Sequence, residues 1–298
     1  QNYLTEDFLE NKKLDFTYRL KKRKIKKNKF KIFKKYELSY KMIIELKKYC
    51  YKRKIIFFST PTNKSGIKLL KQLNVPILKN GSDFLTNDEI IISMARSKLP
   101  TIISTGMSKL REIEHAVKLF KKFGGKDLIL LKCTVVYPAP ENEINLNAMI
   151  TLKKKFNCLV GLSDHSEGIT ASLGAVALGA SIIERHFTLN KNLCGPDHKF
   201  SSDPKELKYL IKNIRQLEKN LGSNQINITK NEVKSRNLFR LSCVAADNLF
   251  TRHILKTEDI VFRRPGYGVE PRYKFQLIGR RLKRKIKKGS IIKFSDFV

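Results

Sequence analysis

Two histidines, His165 and His186, each follow a short apolar run, in the clusters Gly161-Leu162-Ser163-Asp164-His165 and Glu184-Arg185-His186-Phe187-Thr188. They stand about one β-α repeat apart. A (β/α) barrel gathers the carboxyl ends of its parallel strands on one face, where a shared site forms. Imidazoles at two such ends can meet over one ligand as a metal pair, or they can be two satisfied structural histidines. The surrounding residues decide between these readings, so the elements that carry them come next.

Six apolar runs read as strands: Ile55-Ile56-Phe57-Phe58-Ser59, Val75-Pro76-Ile77-Leu78-Lys79, Thr101-Ile102-Ile103-Ser104, Leu128-Ile129-Leu130-Leu131-Lys132-Cys133, Cys158-Leu159-Val160-Gly161-Leu162 and Ser181-Ile182-Ile183-Glu184. Segments of helical period separate them. From Ser108 to Phe123, Leu110, Ile113, Ala116, Val117 and Phe120 form one apolar face, with Ser108 as a candidate N-cap and Gly124 as a stop. Near-continuous apolar strands alternating with amphipathic helices predict a parallel sheet covered on both faces. The expected fold class is α/β, a (β/α)8-type TIM barrel lacking its first two strands, because six β-α units are counted where eight close a barrel. Residues 1–36 are polar and lysine-dense, Leu38 to Tyr51 reads as the helix entering the first visible strand, and the chain opens on Gln1. The expectation is an N-terminally incomplete chain. Residues 1–221 form the barrel domain and 222–231, rich in Asn, Ser and Thr, a linker. Residues 232–298, with short strands near Leu241 to Ala246 and Ile254 to Phe262, form a small, mostly β domain.

Composition narrows the classes. The 298 residues, 41% of them hydrophobic, support a real core. No uninterrupted apolar stretch approaches the roughly 18 to 20 residues needed to span a bilayer, and the first twenty residues do not read as a signal peptide. A soluble, cytoplasmic protein without a membrane partner is expected. Five widely spaced cysteines without a C-x-x-C pair indicate neither a disulfide framework nor a zinc cage. The net charge of +34 is spread along nearly every amphipathic segment, concentrated at Lys21 to Lys35 and Arg280 to Lys288, with no nucleic-acid-binding motif. A solvated lysine-rich surface with no specific nucleic-acid partner is the reading, and such a surface helps draw in a phosphorylated substrate.

The motifs Phe58-Ser59-Thr60-Pro61, Lys79-Asn80-Gly81-Ser82, Ser104-Thr105-Gly106-Met107, Cys133-Thr134 with Tyr137-Pro138, the two histidine clusters, Gly174-Ala175-Val176-Ala177-Leu178-Gly179-Ala180 and Gly195-Pro196-Asp197-His198 resemble the sialic acid synthase family in order and spacing. Arg264-Pro265-Gly266 and the final segment look like that family's antifreeze-like (SAF) C-terminal domain. The resemblance implies condensation of phosphoenolpyruvate with an N-acetylated hexosamine, N-acetylmannosamine or a related diacetamido sugar, to a nine-carbon 2-keto acid and phosphate. It places Thr60, Lys79, Ser82, Ser104 and Ser163 around the phosphate, where hydroxyl and ammonium donors must converge. It makes His165 and His186 the ligands of a divalent Mn2+ or Mg2+ ion, which activates an aldehyde as a Lewis acid. Tyr137, Glu184 and Asp197 would face the sugar as catalytic and sugar-binding groups. Arg264 would reach the sugar's acyl group from a second subunit, which implies a domain-swapped homodimer.

Two departures from the family stand out. The E-I-G-x-N-H and K-x-Q motifs that the family carries on its first two strands, supplying a glutamate and a phosphate-binding lysine, have no counterpart ahead of Ile55, and Val135 stands where the family usually has Asn or Ser. A valine cannot hydrogen-bond a phosphate. Impaired synthase activity in this chain is therefore expected, with a non-catalytic remnant of the enzyme as the alternative.

Overall fold

The computed structural model describes residues 1–7, 9, 10, 12–20 and 23–298, so Lys21 and Lys22 of the expected basic concentration lie outside the described residues. The chain divides into two compact units, Gln1–Gly222 and Ser223–Val298.

The first unit opens with an antiparallel hairpin, β1 (Asp15–Leu20) and β2 (Arg23–Asn28), followed by α1 (Lys29–Lys35) and α2 (Tyr40–Lys52). The hairpin lies in the lysine-dense stretch, where composition predicts no strand. Next come α3 (Lys64–Gln72), β3 (Leu78–Asn80), α4 (Asp88–Ser97), β4 (Thr101–Ser104), α5 (Leu110–Lys122) and β5 (Leu128–Cys133). The unit closes with α6 (Ala148–Phe156), β6 (Leu159–Asp164), α7 (Thr170–Ala177), β7 (Ile182–Arg185) and α8 (Pro204–Leu221). Strands β3 to β7 pair in chain order, all parallel, into one five-stranded sheet.

That sheet curls into a half-barrel. Strands in a sheet lie about 4.8 Å apart, so the outer strands of a flat five-stranded sheet would stand about 19 Å apart. Yet Lys79 on β3 reaches Glu184 on β7 with Nζ 3.3 Å from Oε2. Only a curved sheet lets two side chains from opposite edges meet. Its outer face packs on the helices through Leu78, Ile103, Leu130, Val160, Met94 and Phe120, all buried in one cluster.

Three expectations need correction. Ile55 to Ser59 is no strand: the run makes no ladder, and Ile55 and Ile56 are 63% and 71% exposed. Apolar composition suits a strand, but a strand exists only where another backbone pairs with it, and the nearest pairing here joins Asn2 to Pro61 just beyond the run. The parallel sheet thus has five strands rather than six. The helix after β4 is capped at Lys109, whose N–H donates to the Glu112 carboxylate at 2.6 Å, while the Ser108 hydroxyl turns back to the Gly106 carbonyl at 3.0 Å. The expected linker 222–231 gives way at Lys230 to α9 (Lys230–Phe239), capped by Thr229 and Glu232 in a reciprocal box.

The second unit pairs β8 (Ser242–Ala245) with β9 (Ile260–Arg263), antiparallel, around its own core of Cys243, Leu255, Leu277, Leu282, Ile292 and Phe297. No helix among the described residues is long and apolar enough to cross a membrane.

Candidate active site

Every apolar strand of the half-barrel ends in polar residues, because a backbone that leaves the ladder needs other partners. Lys79 and Ser104 sit at the carboxyl ends of β3 and β4, Ser163 near the end of β6, Glu184 within β7, and His165 and His186 directly after β6 and β7. Ser163 and Glu184 face each other in the parallel register, and the Ser163 hydroxyl donates to Glu184 Oε1 at 2.6 Å. The other carboxylate oxygen takes the Lys79 ammonium, and the two side chains are 11% and 34% exposed. Glu184 therefore bridges a lysine and a serine drawn from three different strands.

The imidazoles lie beside this cluster. Their ring centroids are 5.2 Å apart, inclined at 68°, and the Tyr137 ring packs against His165 at 4.4 Å, tilted by 54°. His165 Nδ1 lies 2.9 Å from the Thr134 carbonyl. A carbonyl only accepts, so Nδ1 carries the proton and Nε2 keeps the lone pair free to ligate. Burial alone would make His165 less basic, but the Cys133 sulfur 3.9 Å from Nδ1 and the Thr134 carbonyl outweigh it and raise its pKa. Burial lowers the pKa of His186, with the neighbouring His165 adding to the effect and Asp197 opposing it. Asp197 Oδ2 lies 3.7 Å from His186 Nδ1, an electrostatic neighbour rather than a hydrogen-bond partner. Burial pushes the Tyr137 phenol up to about 12, so it remains a neutral O–H donor at any physiological pH.

This donor set fits a loosely held divalent ion with several positions left for small molecules. No group of three His, Cys, Asp or Glu side chains among the described residues could hold a metal by itself. Two imidazoles would leave most of a divalent ion's coordination positions to oxygen atoms of water or a bound small molecule, unlike the closed four-ligand cage of a structural zinc. A cavity of about 1330 Å³ is lined by Tyr137, His186, Asp197, Phe200, Tyr3 and Lys29 among others.

The remaining expected residues are less closely tied to this centre. Ser82 follows β3 and accepts the Gly106 N–H at 3.0 Å, and a Cβ on Gly106 would lie 2.8 Å from the Ser82 oxygen and 2.5 Å from Val135 Cγ2. Glycine is required there, and the valine methyl sits against the serine loop. Thr60 is buried, and its carbonyl accepts the Asn2 N–H at 2.8 Å. Arg264 belongs to the second unit, where it is exposed and lies over the Phe239 ring at 5.3 Å.

Sequence reasoning passed over several residues. Asn80 is fully buried with neither amide atom partnered, and Asp83 has its carboxyl pKa raised by burial despite Lys79 and Lys29 nearby. Asp164 and Arg185 form a buried ion pair at 2.6 Å. Their signal was present as opposite charges immediately before each histidine.

Known proteins carry the same architecture. The chain is 37% identical over 295 residues to the N,N'-diacetyllegionaminic acid synthase of Campylobacter jejuni subsp. jejuni serotype O:2, covering 98% of this chain and 88% of that protein. It is 38% identical over 244 residues to a pseudaminic acid synthase of C. jejuni subsp. jejuni serotype O:23/36, covering 82% and 71%. The crystal structure of the N-acetylneuraminic acid (sialic acid) synthetase of Leptospira borgpetersenii serovar Hardjo-bovis, determined with citrate, superimposes with a TM-score of 0.66 at 38% identity over 70% of this chain and 74% of that one. Residues 244–298 match the SAF domain. With residues 1–226 matching its family model as well, the chain belongs to the NeuB family.

Proposed function

We propose that the protein condenses phosphoenolpyruvate and one water with an N-acetylated hexosamine, N-acetylmannosamine or a diacetamido relative, to a nine-carbon 2-keto acid and phosphate. The observation that carries the reading is the Lys79–Glu184–Ser163 cluster beside the two imidazoles at the strand ends. Lys79 offers the charge for a phosphate, while Ser82, Ser104, Ser163 and Thr60 offer hydroxyl donors. The Ser104 hydroxyl, buried without a protein partner, is free to take one from a ligand. Arriving phosphate oxygens compete with Glu184 for Lys79 and Ser163, which leaves that carboxylate able to accept a proton near the reacting carbons. Tyr137 donates to a sugar oxygen as a neutral phenol, and Asp197 accepts from a sugar hydroxyl at the cavity wall. His165 and His186 would hold a divalent manganese or magnesium ion, which would supply Lewis acidity toward the sugar aldehyde.

The finer parts of the reading are a domain-swapped homodimer, in which Arg264 of the partner subunit binds the sugar's acyl group, a cytoplasmic location, and a barrel domain of residues 1–221 followed by an antiparallel SAF domain of 232–298. The test is sugar-dependent phosphate release from phosphoenolpyruvate with Mn2+, across a panel of N-acetylated and diacetamido hexosamines, with the product weighed by mass spectrometry. A mass equal to sugar plus a pyruvate unit supports the proposal. Phosphate release with no sugar of the panel overturns it and favours a non-catalytic remnant.

A further inference from the structure

Each imidazole immediately follows one member of a buried ion pair. Asp164 ends β6, Arg185 ends β7, and the two face each other in the parallel register. Their side chains are 1% and 7% exposed. Asp164 Oδ1 accepts the Ser166 N–H at 2.9 Å and the Ser166 hydroxyl at 2.6 Å, and Oδ2 accepts the Ser172 hydroxyl together with Nη1 of Arg185. The guanidinium spends its other donors on backbone and loop: Nη1 on the Gly168 carbonyl at 2.9 Å, Nη2 on the Ser166 carbonyl at 2.8 Å, and Nε on the Ser202 hydroxyl at 3.0 Å.

One of these bonds leads on to His186, while His165 follows Asp164 directly in the chain. The N–H of Ser202, whose hydroxyl Arg185 holds, donates to the His186 carbonyl at 2.8 Å. On the other strand the His165 carbonyl accepts the Ala139 N–H at 3.0 Å, while its Nδ1 is held by Thr134. Arg185 thus joins the loop after β6 to the backbone that follows β7. A buried ion pair is a weak stabiliser, since apolar residues of similar volume often serve stability as well or better. What it does supply is direction, because a planar guanidinium fixes several acceptors at set angles where a lysine would not.

We propose that the Asp164–Arg185 pair is a positioning device that sets the separation and inclination of the His165 and His186 rings, and through them the affinity for a divalent ion. The metal part rests on the proposed role of the two histidines as ligands.

The experiment uses the full chain carrying Arg185→Lys, Asp164→Asn or Ser202→Ala, with Mn2+ alone as the calorimetric probe, thermal unfolding beside it, and crystal structures of the parent and the variants. Folded Arg185→Lys and Asp164→Asn proteins should lose about 10- to 100-fold in Mn2+ affinity, the usual effect of removing a group that orients a ligand. Their phosphoenolpyruvate affinity should stay within about twofold, the scale of a neutral change. Ser202→Ala, which removes one hydroxyl and leaves the ion pair, should lose less and show the His186 ring displaced. Unchanged Mn2+ affinity in the folded variants, or an equal loss of both affinities, overturns the proposal. Should Arg185→Lys and Asp164→Asn fail to fold, Ser202→Ala is judged by the same criteria. Should the parent itself bind no Mn2+, the ligand role fails, and ring separation decides the positioning claim: rings still 5.2 Å apart in the variants overturn it.

Discussion

Ser104 and Asn80 carry polar atoms that are buried and unpartnered within the protein, and the largely buried Lys79 faces the Glu184 carboxylate. Leaving a buried polar group unpaired costs about 1–3 kcal/mol. If the Ser104 hydroxyl serves a phosphate rather than the fold, Ser104→Ala should leave thermal stability unchanged or slightly higher and raise the KM for phosphoenolpyruvate about 5-fold, the loss of one hydrogen bond of about 1 kcal/mol. A drop in melting temperature with unchanged KM would reverse that assignment. Lys79→Met should weaken phosphoenolpyruvate binding more, by about 10- to 100-fold, because a hydrogen bond to a charged group is worth about 1.5–3 kcal/mol. Titration of the ligand by calorimetry checks the ratio between the two variants.

At the level of elements, β6 and β7 approach so closely at Gly161 that a Cβ there would fall 2.4 Å from the Ile182 carbonyl oxygen. That oxygen is backbone and cannot swing aside. Gly161→Ala should therefore spread the two strands, destabilise the first unit by about 1–3 kcal/mol in urea unfolding, and weaken Mn2+ binding by parting the histidines. Helix α8 offers the contrasting control. Asp203 caps it by accepting the Glu206 N–H at 2.8 Å, and Asp203→Ala should cost about 1 kcal/mol of stability without altering kinetics. In the second unit the Asp259 carboxylate is raised in pKa by burial, but the His253 ring at 2.7 Å and the Lys256 N–H more than reverse this, so its pKa is lowered. A depressed carboxylate stabilises above its unfolded pKa of about 3.9 and loses that contribution as pH falls through the folded value. Melting temperatures of the parent and Asp259→Asn should thus differ at pH 6 and converge on strong acidification.

Across the whole molecule the net charge of +34 sets the dominant long-range term. Like charges repel more strongly in the compact state than in the extended chain. Added salt should raise the melting temperature, most steeply below about 0.15 M, where the Debye length exceeds about 8 Å. The same salt should slow capture of phosphoenolpyruvate, and a rate independent of ionic strength would remove electrostatic steering from the account. The curled sheet belongs to this scale too, since Glu184 meets Lys79 only because five strands bend together.

What the sequence determined by itself is local. The helical periods over 108–123 and 38–51 were legible because an apolar face repeats within one helix, although the cap of the first sits at Lys109 rather than Ser108. The apolar runs of β4 to β7 and the polar clusters after them were equally legible, for burial on both faces demands continuous apolarity. Tertiary structure decided everything that needs a distant partner. Ile55 to Ser59 has strand composition and no strand to pair with, whereas the lysine-rich Asp15–Asn28 segment pairs with itself. The meeting of Lys79 with Glu184 depends on sheet curvature, and the bond between Asp164 and Arg185 on parallel register. Neither has a local signature, because a ladder partner or a cross-barrel contact is selected by the summed packing of the whole unit rather than by the few residues on either side.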